Sequence, residues 1–184
     1  MGSSWSRIAR RIRVPLGFAF AALYLWLARP TIVFMILSLV LVVPGIWLRA
    51  YASGYVKKNT ELTVTGPYAF TRNPLYLGSM LIAFGFALAS RSTWIAAVLS
   101  LLFIVIYVPV IRSEEAFLHS KFAEFDSYAE QVPRLLPRLT PAHVGHGEHG
   151  SFSMDLYRNH REYNAMMGAV AIYAALALRI YLWS

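Results

Sequence analysis

TWIAAVLSLLFIVIYVPVI, Thr93–Ile111, runs for 19 residues without a charged side chain. A helix of that length, at about 1.5 Å per residue, nearly crosses the roughly 30 Å of hydrocarbon in a bilayer. Working outward, four more apolar runs appear: Leu16–Ala28, Thr31–Leu48, Leu75–Ala89 and Asn164–Trp183, the last broken only by Arg179. The first and third of the five are short for a full crossing, so tilted or partly buried ends are expected there. Composition agrees. Of the 184 residues, 58% are hydrophobic and only 14% charged, and mean hydropathy is +0.51. Soluble domains carry about 25% charged residues. A disordered chain, a basic nucleic-acid tail and a soluble enzyme with a polar shell are excluded. The chain has no Cys, which excludes disulfides and thiolate chemistry. One all-α membrane domain over residues 1–184 is expected, a polytopic helix bundle of about five spans.

Two tight connections, Arg29-Pro30 and Ser90-Arg91-Ser92, fold runs one and two and runs three and four into hairpins. The longer connections, Arg49–Pro74 and Arg112–Tyr163, then share one side. Of the 17 Lys and Arg, only Arg29, Arg91 and Arg179 fall on the other side, and all nine acids fall on the first. The positive-inside rule makes the first side cytoplasmic, with the N-terminus inside and the C-terminus outside. The net charge of +8 is read as this orientation signal and as contact with anionic lipid, not as nucleic-acid binding. The arginine-rich start outlines a signal peptide, but Ala19-Phe20-Ala21 sits inside the apolar run, so cleavage is not expected. Gly2 and Ser6 fit the loose myristoylation pattern, with coincidence favoured.

Two segments carry chemistry. In TVTGPYAFTRNPLYLG, Thr63–Gly78, Gly66-Pro67 signals a turn and Asn73-Pro74 opens the third span. Asn is a favoured N-cap and Pro suits the first helical position. Arg72 and Asn73 thus stand at a helix start whose free N–H groups favour an anion such as a carboxylate. Tyr68 and Tyr76 add aromatic faces. A capped membrane helix with interfacial anchors explains the same residues. In RSEEAFLHSKFAEFDSYAEQVPRLLP, Arg112–Pro137, Glu114 and Glu115 lie at the foot of a span. A charge there costs several kcal/mol unless hydrated or paired. On a helix the two point about 100° apart, so one can face a cleft while the other pairs outward. Phe117, Leu118, Phe122 and Phe125 form a stripe at helical spacing, expected as an amphipathic helix on the membrane surface. His143, His146, Glu148 and His149 read as a solvated loop, with no metal site expected. His119 reads as a satisfied interfacial side chain. Pro44-Gly45 and Pro109 are expected to kink their helices.

GPYAFTRNPLYLG, a membrane hairpin, and then EEAFLHSKFAEFDSYAEQVPRLLP together resemble the isoprenylcysteine carboxyl methyltransferase family, whose core the phospholipid N-methyltransferases share. The resemblance covers Thr63–Pro137. It implies an enzyme that moves a methyl group from S-adenosylmethionine to a lipid-like acceptor, with the cofactor site at the cytoplasmic face. By resemblance, Gly66, Pro67, Tyr68, Arg72, Asn73, Pro74, Tyr76, Gly78, Glu114, Glu115, Tyr128 and Arg134 bind the cofactor, and Glu114, Glu115 and Arg72 are the catalytic candidates. Asn73 departs from the family, which more often has His there. The acceptor implied first is an isoprenylcysteine-type carboxylate. A phospholipid amine is the alternative. A sterol-type reductase using NADPH and a non-catalytic lipid-binding protein are the rivals.

The charge count gives a topology test. Labelling sites at Lys58 and at Gly147 should report the same side of the membrane. Opposite sides would break the five-span arrangement.

Overall fold

The computed structural model describes residues 21–57, 60–143 and 150–183, and among these every regular element is helical. Helix α1 covers residues 21–27. Then come α2 (Ile32–Ser53), a 3-10 turn (Gly66–Ala69), α3 (Pro74–Ser90) and α4 (Thr93–Leu102). A π-helical turn (Phe103–Tyr107) leads into α5 (Val108–Lys121), followed by α6 (Phe125–Gln131), α7 (Met154–His160) and α8 (Tyr163–Trp183). Three helices are long and apolar enough to cross a membrane: Ile32–Ser53, the continuous Thr93–Lys121 and Tyr163–Leu182. Helix α3, with 17 residues, reaches only about 26 Å. Of the expected span Leu16–Ala28, only the part from residue 21 lies within the described residues. Gly2, Ser6, Arg7, Arg10, Arg11, Arg13, Lys58, Gly145, His146, Gly147, Glu148 and His149 lie outside them. Only 11% of the Thr93–Lys121 window is buried inside the protein. A helix this apolar and this exposed needs lipid as its outer solvent.

The two hairpin turns meet. The Arg29 amide donates to the Ser90 carbonyl at 2.8 Å. Arg91 closes α3 in the left-handed region, at φ 51°, and Ser92 caps α4 by accepting from the Ile95 amide. The guanidinium of Arg179, near the end of α8, donates to the carbonyls of Leu25 and Trp26. Arg29, Arg91 and Arg179 are therefore gathered at one end of the bundle, and Arg49, Arg72 and the acids lining the cavity described below at the other.

Helices α2 and α3 form the tightest pair. A Cβ on Gly45 would lie 2.8 Å from the Gly78 carbonyl oxygen, and a Cβ on Gly78 would lie 2.8 Å from that of Gly45. The two backbones touch because neither residue has a side chain, the small-residue contact by which membrane helices approach without a hydrophobic drive. Below them Val42, Phe86, Ile95, Ala169 and Leu176 make the core. Its polar groups are paired: the Tyr24 hydroxyl donates to the Phe86 carbonyl, and the Ser38 and Tyr173 hydroxyls lie 2.6 Å apart.

Pro44 sits inside an unbroken α2. Pro109 lies just after the π-helical turn. Proline brings no N–H for the carbonyl four residues back, so the ladder ahead of it is where a wider turn costs least. The stripe Phe117–Phe125 is not one surface helix. Helix α5 continues the fourth span to Lys121, the chain turns extended at Phe122, and α6 starts at Phe125. Phe125 packs with Tyr128 and Val132, supported by Leu118 and Phe122, in a small core of its own. Phe117 stays half exposed under the Lys121 ammonium. The spacing was helical, but the break falls inside it.

The Gly45–Gly78 contact is testable. Gly78→Val should lower stability by about 1–3 kcal/mol, the range for overpacking, read as earlier thermal unfolding in detergent. The same change at Gly168, where a Cβ would meet nothing within 4 Å, should be near neutral by comparison.

Candidate functional site

At the end opposite the two hairpin turns, a cavity of about 440 Å³ opens between the foot of α2, the start of α3, α5, α6 and the start of α8. Sites for small molecules run from about 300 to 1,000 Å³. Tyr68, Arg72, Asn73, Tyr76, Glu114, Glu115 and Tyr128 all line it. Gly66, Pro67, Pro74, Gly78 and Arg134 do not line it and act from behind. Gly66 takes φ +60°, and a Cβ there would strike the Tyr55 ring, so only glycine turns the chain into the 3-10 turn. Pro67 is buried under that turn and Pro74 fills the first position of α3. Gly78 belongs to the α2 contact.

The carboxylate of Glu115 is the junction of the site. Arg134 Nε donates to Oε2 at 2.8 Å, and Asn73 Nδ2 donates to Oε1 at 3.3 Å. Arg72 Nε lies 3.3 Å from Oε1 but is misaligned for a hydrogen bond, so it helps Glu115 by charge alone. The Arg72 guanidinium also sits 5.9 Å from the centre of the Phe125 ring. Glu115 is only 8% exposed, and its two cations offset the cost of burial. Glu114 differs. It is exposed, and its one hydrogen bond is from the Tyr76 hydroxyl at 2.8 Å. Tyr76 is braced edge-on by Tyr107, which stacks on Phe103 within the π-helical turn. The two glutamates do divide their roles, but the paired one points inward and the lightly partnered one faces the cavity.

Asn73 does not cap α3. It occupies the cap position with no side-chain bond to the helix. Its amide instead donates to Glu115 and, at 2.9 Å, to the Arg134 carbonyl. Two acceptors within reach of Nδ2 outcompete one exposed N–H of the first turn. The segment from Pro133 to Ala142 is strapped to the loop before α3. The amide of Arg72 donates to the Pro133 carbonyl, that of Arg138 to Phe70 and that of Ala142 to Ala69. Thr71 Oγ1 donates to the Leu135 carbonyl at 3.0 Å and the Tyr128 hydroxyl to the Tyr68 carbonyl at 2.8 Å. Burial pushes the hydroxyls of Tyr68 and Tyr128 well above the usual tyrosine range; for Tyr128 the nearby Arg72 charge opposes the shift without reversing it. Both therefore stay neutral donors at physiological pH.

Sequence reasoning missed a second wall. Arg49, near the end of α2, holds Glu162 through Nε and Nη2, each bond 3.0 Å, and also reaches the Leu75 carbonyl and Ser79. Glu162, which directly precedes α8, thereby joins the cavity. Lys57 and Glu61 add an exposed pair at the rim. No spacing rule links residues 49 and 162; only the mixed sign of charges flanking two spans hinted at it. His119 pairs with Asp126 at 3.0 Å on the surface, away from the cavity. His143 is exposed.

The phospholipid methyltransferase family model matches residues 32–124. The chain is 42% identical over 95 residues to the nickel-cobalt-cadmium resistance protein NccN of Alcaligenes xylosoxydans xylosoxydans, covering 52% of this chain and 44% of that one. It is 41% identical over 95 residues to the cobalt-zinc-cadmium resistance protein CzcN of Cupriavidus metallidurans, covering 52% of this chain and 43% of that one. The match thus spans less than half the length of these curated relatives. No solved structure matches the chain.

Asn73→Asp tests the junction. It swaps a donor for an oxygen that faces Glu115 Oε1 and the Arg134 carbonyl, both acceptors. Stability should fall by about 1–3 kcal/mol, the cost of a buried group left unmatched. The new carboxyl must take up a proton to donate again, so its folded pKa is raised. The folded state then holds the proton more tightly than the unfolded one, and the deficit shrinks as pH falls. Thermal unfolding of wild type and mutant across mildly acidic pH checks the size and the sign.

Proposed function

This chain belongs to the phospholipid methyltransferase family, and from that premise we propose that it is an integral membrane methyltransferase using S-adenosylmethionine on a lipid-like acceptor. The observation that carries the reading is Glu114, a carboxylate facing the cavity with a hydroxyl as its hydrogen-bond partner, while the neighbouring Glu115 is bound by Arg134, Asn73 and Arg72. Of the two, Glu114 keeps charge for an incoming cation.

The donor set fits the cofactor's chemistry. S-adenosylmethionine would supply an activated methyl group on a sulfonium, and it carries an ammonium and a carboxylate. Glu114 would take the ammonium. The start of α3 and Arg72 would hold the carboxylate. Tyr68 and Tyr76 would offer ring faces to the sulfonium. NADPH fits less well, because its phosphates need cations and Arg49 and Arg72 are already matched by Glu162 and Glu115.

Methyl transfer is an in-line displacement, so the protein's contribution is to hold acceptor and donor together. Glu115 serves as a positioning residue that fixes the cavity wall. The rim cations favour an anionic acceptor, and an isoprenylcysteine-type carboxylate is the first reading. Such an acceptor is ionised at neutral pH and needs no base. A phospholipid amine is the second reading, favoured by Glu114 itself, which could accept the amine proton. In this reading the cofactor enters from the cytoplasmic side and the acceptor from the bilayer.

Calorimetry of the detergent-solubilised chain with S-adenosylmethionine, S-adenosylhomocysteine and NADPH tests the class. Binding of the two adenosyl compounds without NADPH is expected. Glu114→Gln should weaken that binding about tenfold or more, as for loss of a charge-assisted hydrogen bond, with thermal stability kept. Glu115→Gln should chiefly lose stability. Equal adenosyl affinity in wild type and Glu114→Gln removes Glu114 from the site. Preferential binding of NADPH removes the methyltransferase reading.

A further inference from the structure

The end of the bundle away from the candidate site holds a larger cavity, about 910 Å³, at the two hairpin turns. Its walls are mainly apolar, from Trp26, Pro30 and Ile180, and into it come Arg29, Arg91 and Arg179. Two of the three guanidiniums are held in place. Arg91 lies 5.0 Å over the Phe34 ring. Arg179 donates to the Leu25 and Trp26 carbonyls. Among the described residues, neither Arg29 nor Arg91 forms an ion pair with a carboxylate, and no acid occurs in the turns that carry them.

A second, apolar groove of about 530 Å³ continues from this cavity. The two share Ile32 and Ile180. The groove runs between α2 and α8 over Met35, Ile36, Leu39, Tyr173 and Ala177. A cationic chamber at the end of a bundle, opening into an apolar channel along its side, has the division of a phospholipid: charged head and acyl chain.

We infer that this chamber and groove hold one anionic phospholipid from the leaflet at that end of the bundle. Arg29 and Arg91 bind its phosphate head, and an acyl chain lies in the α2–α8 groove. A zwitterionic lipid would bring its own cation among the arginines and is disfavoured. A free phosphate would leave the groove unfilled. The site is distinct from the cavity around Glu114, and the lipid there is a resident that ties α1, the α3–α4 turn and α8 together.

The test uses the full chain in neutral detergent, with phosphatidylglycerol, phosphatidylcholine or glycerol phosphate added. Thermal unfolding and native mass spectrometry are read together. Phosphatidylglycerol should raise the unfolding temperature and remain bound as a single molecule; the other two should do neither. In the double variant Arg29→Gln, Arg91→Asn, the affinity for phosphatidylglycerol should drop on the order of tenfold, two interfacial cations being lost. Asn is chosen at 91 because it tolerates the left-handed backbone there. Circular dichroism confirms that the variant is folded. Leu39→Trp, which fills the groove and spares the arginines, should also reduce retention. Equal effects of phosphatidylglycerol and phosphatidylcholine overturn the inference, as does full retention in either variant. The same stabilisation by glycerol phosphate would mean a free-anion site and overturn it too.

Discussion

A carboxylate at the foot of a membrane span must be matched or neutralised, and Glu115 is matched from three directions. Arg134, Asn73 and Arg72 come from two segments 42 or more and 19 residues away along the chain. Removing any one leaves a buried charge short of a partner, the costly half of breaking an ion pair. The loop before α3, the end of the fourth span and the strap from Pro133 to Ala142 are therefore held as a unit. The strap's backbone hydrogen bonds to Phe70 and Ala69 then have a fixed surface to run along. The cavity keeps its shape because these walls are tied behind it rather than across it.

The bundle is electrically lopsided. At one end carboxylates and guanidiniums alternate around a polar cavity; at the other, arginines stand over apolar walls. In water such an arrangement would be screened within about 8 Å at physiological salt. Between two membrane faces it persists, since ions do not enter the hydrocarbon that separates them. One end suits a small polar molecule with charges of both signs, and the other suits a lipid of one sign. The same helices serve both because α2 and α8 run from end to end.

The helical membrane class was legible because a 19-residue apolar run has few other readings, and the hairpins were legible because their turns are short. The convergence of Tyr68, Arg72, Asn73, Tyr76, Glu114, Glu115 and Tyr128 on one cavity could be anticipated only through the motif order. What escaped has physical causes. Phe117 to Phe125 kept helical spacing across a break, since a pattern of apolar residues records burial and not continuity. Asn73 stood where a cap belongs, but two stronger acceptors lay nearby, and no local rule counts residues 42 and 61 positions away. Arg49 and Glu162 find each other across 113 residues, a pairing that leaves no periodic trace.

The wide turn at Phe103–Tyr107 has a consequence for how this helix can change over generations. A π-helical turn holds one residue more than the α-helical turn it replaces, and one residue is about 100° of rotation. Upstream, α4 is phased against the Ser92 cap; downstream, Glu114 and Glu115 are phased against the cavity. Deleting a single residue in this turn would restore an ordinary helix and swing both glutamates about a quarter-turn off target. Two deletions or insertions would have to arise together to keep the register. The turn acts as a phase-setter, and the length of chain between Ser92 and Glu114 is fixed by the site while its apolar letters stay free to drift.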